Sequence, residues 1–294
     1  MSAKPAAASF GTNDGWSAQA KEYADMMLTG PMLTLIRHMY SAMASVRPFA
    51  SATTFLDVGC GPGSATYALL SERAGELKPG AKVVASDFSA GMVEQVQQLR
   101  QRKLEELEDD EPAMPFWQEL ETHVLDAQDL SAIANDSVSH MIASLVIFMV
   151  PDSGKALREG YRVLEEGGVM SVSSWKRVMW MELVMEAIGK KKSDFKLPQG
   201  WADPAKVKGM LDDAGFVDVV VEEVNTFMEA SDGRRLANWF FGTSNPPLLA
   251  MLKDLSEEER EEARTRLAKL FEEKRDPKTN GIPGVGIIAT GRKA

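Results

Sequence analysis

Residues 55–63 of this 294-residue chain, Phe-Leu-Asp-Val-Gly-Cys-Gly-Pro-Gly, constrain its fold more than any other stretch. An apolar strand, Phe55 to Val58, runs into glycines at 59, 61 and 63, and a helix is expected from about Ser64. Glycine enters backbone regions closed to other residues and lets a ligand lie against the main chain. A strand, a glycine turn and a helix together build open α/β sheets. Such sheets take their ligands beyond the carboxyl ends of the strands, which is where Asp57 lies. Two common readings of the turn fail. The dinucleotide fingerprint needs glycine where this chain has Ser64, and the phosphate loop needs a lysine that the turn lacks. An acidic residue here repels a pyrophosphate and attracts a ligand that carries positive charge.

The next elements follow at matching distances. The apolar segment Ala81–Asp87 ends in a carboxylate 24 residues after Gly63. At about that spacing the acidic residue of a βαβ nucleoside site meets the ribose hydroxyls. Phe88 follows, placed to pack on a base, and Ser89 caps a helix whose first turn holds Met92. Val124–Leu130 closes a third strand and carries Asp126 and Ala127. Ser139–Val150 is almost continuously apolar, as a parallel strand buried on both faces demands, and includes Ser144. The phrase Arg162-Val-Leu-Glu-Glu-Gly-Gly168 predicts a helix stopped by the glycine pair, then a fifth strand to Trp175. In this order and spacing, residues 54 to 175 resemble the class I S-adenosylmethionine-dependent methyltransferases. The nearest likeness is to the small-molecule branch that includes the ubiquinone and menaquinone C-methyltransferases.

The resemblance implies an α/β fold: a doubly wound, seven-stranded, mostly parallel Rossmann-like sheet with strand seven antiparallel. It implies one methyltransferase domain over residues 1–294. A helical N-terminal lid would take 1–50 and the cofactor-binding core 51–175. Residues 176–294 would hold acceptor-side helices, a helical insertion between strands six and seven, and a final hairpin. The implied cofactor is S-adenosyl-L-methionine, which has a sulfonium, an ammonium and no phosphate. Its implied contacts begin with Asp57, Gly59, Cys60, Gly61 and Gly63 at the turn. Asp87 would meet the ribose, with Phe88 and Met92 beside it. Asp126 and Ala127 would meet the adenine, a carboxylate accepting from the exocyclic amine. Ser144 would approach the methionine end, and the Tyr23 hydroxyl the cofactor's carboxylate. The implied activity is methyl transfer to a small, apolar acceptor. Two alternatives stay open: a non-methylating reaction on the same fold, or a non-catalytic partner protein.

The rest of the chain adds detail. Apolar residues recur at helical steps from Ser17 to Met43, interrupted at Gly30-Pro31, with Trp16 just before. The segment Gln101–Glu121 is acidic, and within it Glu105–Glu111 is expected to be a solvated helix end and loop. Met179–Met185 reads as a Met- and Trp-rich helix. Asp203-Pro204 starts another, which Gly215 stops. Strands six and seven are expected at Phe216–Val224 and Gly284–Thr290, paired antiparallel. Between them Ser256-Glu-Glu-Glu259 forms a capping box, and Ala263, Leu267, Leu270 and Phe271 form one buried stripe. The 17 methionines and 6 tryptophans gather in the N-terminal helices and after strand five. Flexible methionines suit an irregular apolar pocket, so an acceptor pocket is expected beneath these pieces.

No general base stands out. His123 and His140 lie at the wrong ends of their strands, and Phe148 takes a place where several members of the family carry histidine. The catalytic residue is therefore unassigned, and an acceptor that is already nucleophilic, an amine or a thiolate, is favoured. The net charge of −10 argues against a nucleic-acid partner. The single cysteine excludes a disulfide framework. No His/Asp/Glu spacing suggests a metal. No apolar run reaches the roughly 18 residues that span a bilayer. A cytoplasmic protein acting on a small molecule is expected.

Overall fold

The computed structural model describes residues 13–17, 20–21, 24, 30–191, 200–242 and 246–294. Its strands are β1 (Thr54–Val58), β2 (Lys82–Asp87), β3 (Glu121–Val124), β4 (Val138–Ala143), β5 (Leu164–Val178), β6 (Val217–Glu229) and β7 (Gly281–Arg292). They form one sheet in the order β3-β2-β1-β4-β5-β7-β6. Strands β1 to β5 pair in parallel, and β7 runs antiparallel to both β5 and β6. This is the α/β sheet with an antiparallel seventh strand that the resemblance implied. Its order turns back between β1 and β4, and α/β sheets open a crevice at such a reversal.

The helices are α1 (Asn13–Ser17), α2 (Pro31–Val46), α3 (Ser64–Glu72), α4 (Ala90–Glu106), α5 (Met114–Gln118) and α6 (Ser153–Val163). They continue with α7 (Met179–Ala187), α8 (Pro204–Asp213), α9 (Gly233–Gly242), α10 (Pro246–Leu252) and α11 (Glu257–Lys274). Four of them start with side-chain caps set by their sequences. Ser89, Asp152 and Asp203 cap α4, α6 and α8 through side-chain oxygens, and Ser256 with Glu259 closes the capping box of α11.

Two expectations need correction. The apolar run Ser139–Val150 is not one strand. β4 stops at Ala143, Leu145 turns into the left-handed region at φ 58°, and Ile147–Met149 form a 3₁₀ turn. An unbroken apolar run looks the same whether it is buried as a strand or as a tight turn, so hydropathy could not mark the break. Secondly, α6 ends at Val163 and not at Gly167-Gly168, because strand geometry resumes at Leu164. Gly167 instead takes φ 72° inside β5, where pairing with β4 shifts register. The expected solvated stretch Glu105–Glu111 is exposed apart from the half-buried Leu107, and after it Met114, Phe116 and Trp117 of α5 are buried. The predicted stripe on α11 is buried at Ala263, Leu267 and Phe271, with Leu270 half-buried.

Helix α2 lies on the antiparallel end of the sheet, packed against β5, β6 and β7. It approaches closely because Gly286 of β7 has no side chain. A Cβ there would stand 2.3 Å from Cδ2 of the fully buried Leu35. The other face of α2 reaches α3, where the buried Tyr40 hydroxyl donates to the Ala65 carbonyl at 2.5 Å. Behind β1, Phe49, Phe55 and His140 form an aromatic cluster, with the His140 ring stacked on Phe55 at 5.7 Å. Among the described residues, no helix is long and apolar enough to cross a membrane. We expect Gly286→Ala to lower stability by about 1–3 kcal/mol through overpacking against Leu35. Leu35→Ala in the same chain should restore part of the loss, as read by urea denaturation.

Candidate active site

The crevice at the reversal of strand order holds a cavity of about 320 Å³. It is built on the turn after β1. Gly59, Gly61 and Gly63 all lie at positive φ, at 63°, 52° and 96°. Each does a different job. A Cβ on Gly59 would stand 2.4 Å from Cγ2 of Val146, so this glycine lets the loop after β4 press onto the turn. A Cβ on Gly61 would meet nothing within 4 Å. Gly61 thus presents bare backbone to the open cavity. Gly63 begins α3 and does not line the cavity.

Asp57 is buried at the end of β1. Its Oδ2 accepts from the Thr66 amide at 3.0 Å and the Thr66 hydroxyl at 2.8 Å. Gly63 has no side chain with which to cap α3, and Asp57 supplies that cap from across the turn. Burial pushes the Asp57 carboxyl up to about 7, against the opposing pull of the Thr66 hydrogen bonds. Asp87 ends β2. Its Oδ2 accepts from the Gly61 amide at 2.9 Å and its Oδ1 from the Ser89 amide at 2.8 Å. Burial raises this carboxyl too, while the two amides hold it down. One carboxylate therefore ties the glycine turn to the start of α4.

Cys60 lies against the same turn, its thiol donating to the Gly61 carbonyl at 3.4 Å. Burial holds that thiol in its neutral form. Asp126 is exposed at the rim and accepts from the Gln128 amide at 2.8 Å. Gln128 in turn accepts from the Asp152 amide at 2.9 Å, which joins the loops after β3 and β4. Ser144 stands 3.4 Å from the Ser173 hydroxyl, and the Leu145 amide donates to Ser173 at 2.9 Å. This bond helps hold Leu145 in a conformation that leucine rarely adopts.

The cavity therefore brings together Asp57, Gly59, Cys60, Gly61, Asp87, Phe88, Met92, Asp126, Ala127 and Ser144. Tyr23 lies outside the described residues. Residues not predicted to bind the cofactor also line it, among them Met32 and Ile36 from α2, and Leu145, Val146, Met149 and Val150 after β4. The α2 pair carried a helical-period signal. The segment after β4 carried none, being hidden in an apolar run. No described lining residue comes from 176–294; α7 packs its Trp180 against Trp175 at 5.3 Å and lies against α11 and β7. The ionisable side chains among the described lining residues are three aspartates and one cysteine. His140 is remote, buried against the Arg47 carbonyl at 3.1 Å, and burial lowers its pKa to about 4. His123 is half-exposed on β3 beside Glu121. Among the described residues no cluster of His, Cys, Asp or Glu has the arrangement of a metal site.

Comparison with known proteins agrees with this geometry. Residues 56–172 match a family described as a methyltransferase domain. The chain is 29% identical over 259 residues to the methyltransferase ucsB of an Acremonium species, covering 86% of each chain. It is 26% identical to the methyltransferase tpcH of Aspergillus fumigatus, covering 93% of this chain and 97% of that one. Among solved structures, the YcgJ protein of Bacillus subtilis superposes with a TM-score of 0.53 at 15% identity, over 87% of this chain and 98% of that one. At that identity the likeness concerns the fold.

Gly59→Ala should cost about 2 kcal/mol or more, because strain at φ 63° adds to the collision with Val146. Pairing it with Val146→Ala should recover only the steric share, as measured by chemical denaturation.

Proposed function

We propose that this chain, which belongs to the class I S-adenosylmethionine-dependent methyltransferases, passes the methyl group to a small apolar acceptor. One observation carries the reading. The described cavity lining has carboxylates at Asp57, Asp87 and Asp126, bare glycine backbone at Gly61, and no lysine, arginine or histidine. Such a site repels a phosphate and suits a nucleoside that carries a sulfonium and an ammonium.

The residues present fit that cofactor. Bare backbone at Gly59–Gly61 leaves room for a ligand in van der Waals contact. Asp87 keeps acceptor capacity beyond its two amide bonds, since an ionised carboxylate offers about four lone-pair positions. In our reading it holds the ribose. Phe88 and Met92 flank the base, and Asp126 and Ala127 lie at its edge. Asp57 and Ser144 attend the amino-acid end, and Tyr23 is assigned there as well. Gly63 shapes the turn without touching the ligand, and Cys60 fills space beside it. When bound, S-adenosylmethionine supplies an electrophilic methyl carbon.

The protein's own task is to orient an acceptor and exclude water. Orientation alone can supply ~7–11 kcal/mol of a barrier. Met32, Ile36, Met149 and Val150 offer the acceptor an apolar wall. Asp57 is assigned to the cofactor's amino-acid end and Asp87 to its ribose, and no other carboxylate or histidine among the described lining residues is placed beside the apolar wall as a base. This favours an acceptor that is already nucleophilic, an amine or a thiolate, and a screen of lipophilic amines, thiols and phenols against charged polar analogues tests it. Methyl gain on product, read by mass spectrometry, separates this reading from a non-methylating reaction on the same fold.

Calorimetric titration with S-adenosylhomocysteine should show binding to the parent protein, and Asp87→Ala should lose it by tenfold or more, about 1.4 kcal/mol. Unchanged affinity in the variant removes the ribose assignment. The raised Asp57 carboxyl adds a pH signature. In the free protein the ionised form is disfavoured relative to the unfolded chain, so stability falls as pH rises from about 4 to about 7. A cationic ligand favours the ionised form, so affinity should rise as pH rises through about 7. Asp57→Asn should flatten that rise.

A further inference from the structure

We infer that Ser17 is a positioning residue that locks Trp16 over the nucleoside half of the cavity by completing the cap of α4. The inference rests on the assignment of that half to the cofactor's nucleoside. The first amides of any helix lack partners within it. In α4, the buried Ser89 hydroxyl accepts from the Met92 amide at 3.3 Å. The Gly91 amide finds its acceptor 74 residues earlier in the chain, in the Ser17 hydroxyl at 3.2 Å. The Ser17 and Ser89 hydroxyls also stand 2.9 Å apart. The same Ser89 amide donates to Asp87, so the contact made by α1 joins directly to the turn that presents Asp87, Phe88 and Met92.

Gly91 shows how closely the two helices meet. It lies in the first turn of α4 at an ordinary, negative φ, so its backbone does not call for glycine. Glycine inside a helix costs stability relative to alanine. A Cβ at Gly91 would nevertheless stand 2.7 Å from both Cα and the carbonyl oxygen of Ser17. The missing side chain is therefore space taken by the backbone of α1. Trp16 precedes Ser17, and its indole lines the cavity together with Phe88 and Met92. Ser17 touches no part of the cavity itself; it acts through Trp16 and through the cap.

Two substitutions break the contact from opposite sides. Ser17→Ala removes the hydroxyl, and Gly91→Ala places a methyl group against backbone. Acrylamide quenching of Trp16 fluorescence, taken as the difference from the Trp16→Phe protein, reports the roof in the ligand-free chain. Titration with S-adenosylhomocysteine reports the site. Both variants should expose Trp16 and weaken binding by about three- to tenfold, the scale of one lost hydrogen bond. Ser17→Thr keeps the hydroxyl and should bind as the parent does. The double variant should be no weaker than the poorer single one, since both break one contact. Trp16 shielded in both variants as in the parent overturns the inference, and so does unchanged affinity once Trp16 is exposed. Failure of the parent itself to bind S-adenosylhomocysteine removes the cofactor assignment instead, and the quenching result still decides whether Ser17 holds the roof.

Discussion

The architecture around the cavity depends on one buried carboxylate that serves two strands' worth of structure. Asp87 ends β2, yet its oxygens hold the Gly61 amide of the preceding turn and the Ser89 amide that opens α4. A chain reversal with three residues at positive φ needs such an anchor, because glycine gains little from any one conformation. Asp57 performs the matching task one strand earlier by capping α3 through Thr66. Two acids thus fix the floor of the crevice before any ligand arrives. Both are desolvated, and burial disfavours their charge. In the reading proposed above, a cationic ligand relieves that cost.

The sequence was most legible where covalent geometry leaves few options. The glycines of the turn, the carboxylate ending the second strand and the Ser89, Asp203 and capping-box starts of three helices act through local rules, and all were readable one residue at a time. Asp57, Asp87, Phe88, Met92, Asp126, Ala127 and Ser144 all line one cavity because the sheet order carries their strand ends to the same edge. The order itself followed from resemblance, since no local pattern states which strands are neighbours.

What stayed hidden depended on contacts distant in sequence. Leu145 and Val146 lie in an apolar run that hydropathy treats as uniform. The left-handed turn between them and β4 is held by a hydroxyl of β5, Ser173. The register shift that places Gly167 inside β5 is likewise a property of two strands, not of one. In each case tertiary pairing outweighed the local signal.

The position of β7 has a consequence for how the molecule is made. This last strand lies between β5 and β6, so β6 has no neighbour in the sheet until residues 281–292 arrive. During synthesis the five parallel strands can assemble while the outer edge of β5 stays open and β6 stands apart. Helix α2, which packs on β5, β6 and β7 together, has only part of its seat until then. Pairings that close over long stretches of chain form slowly and leave apolar edges exposed meanwhile. The sheet therefore closes only when residues 281–292 enter between β5 and β6, whatever has assembled before them.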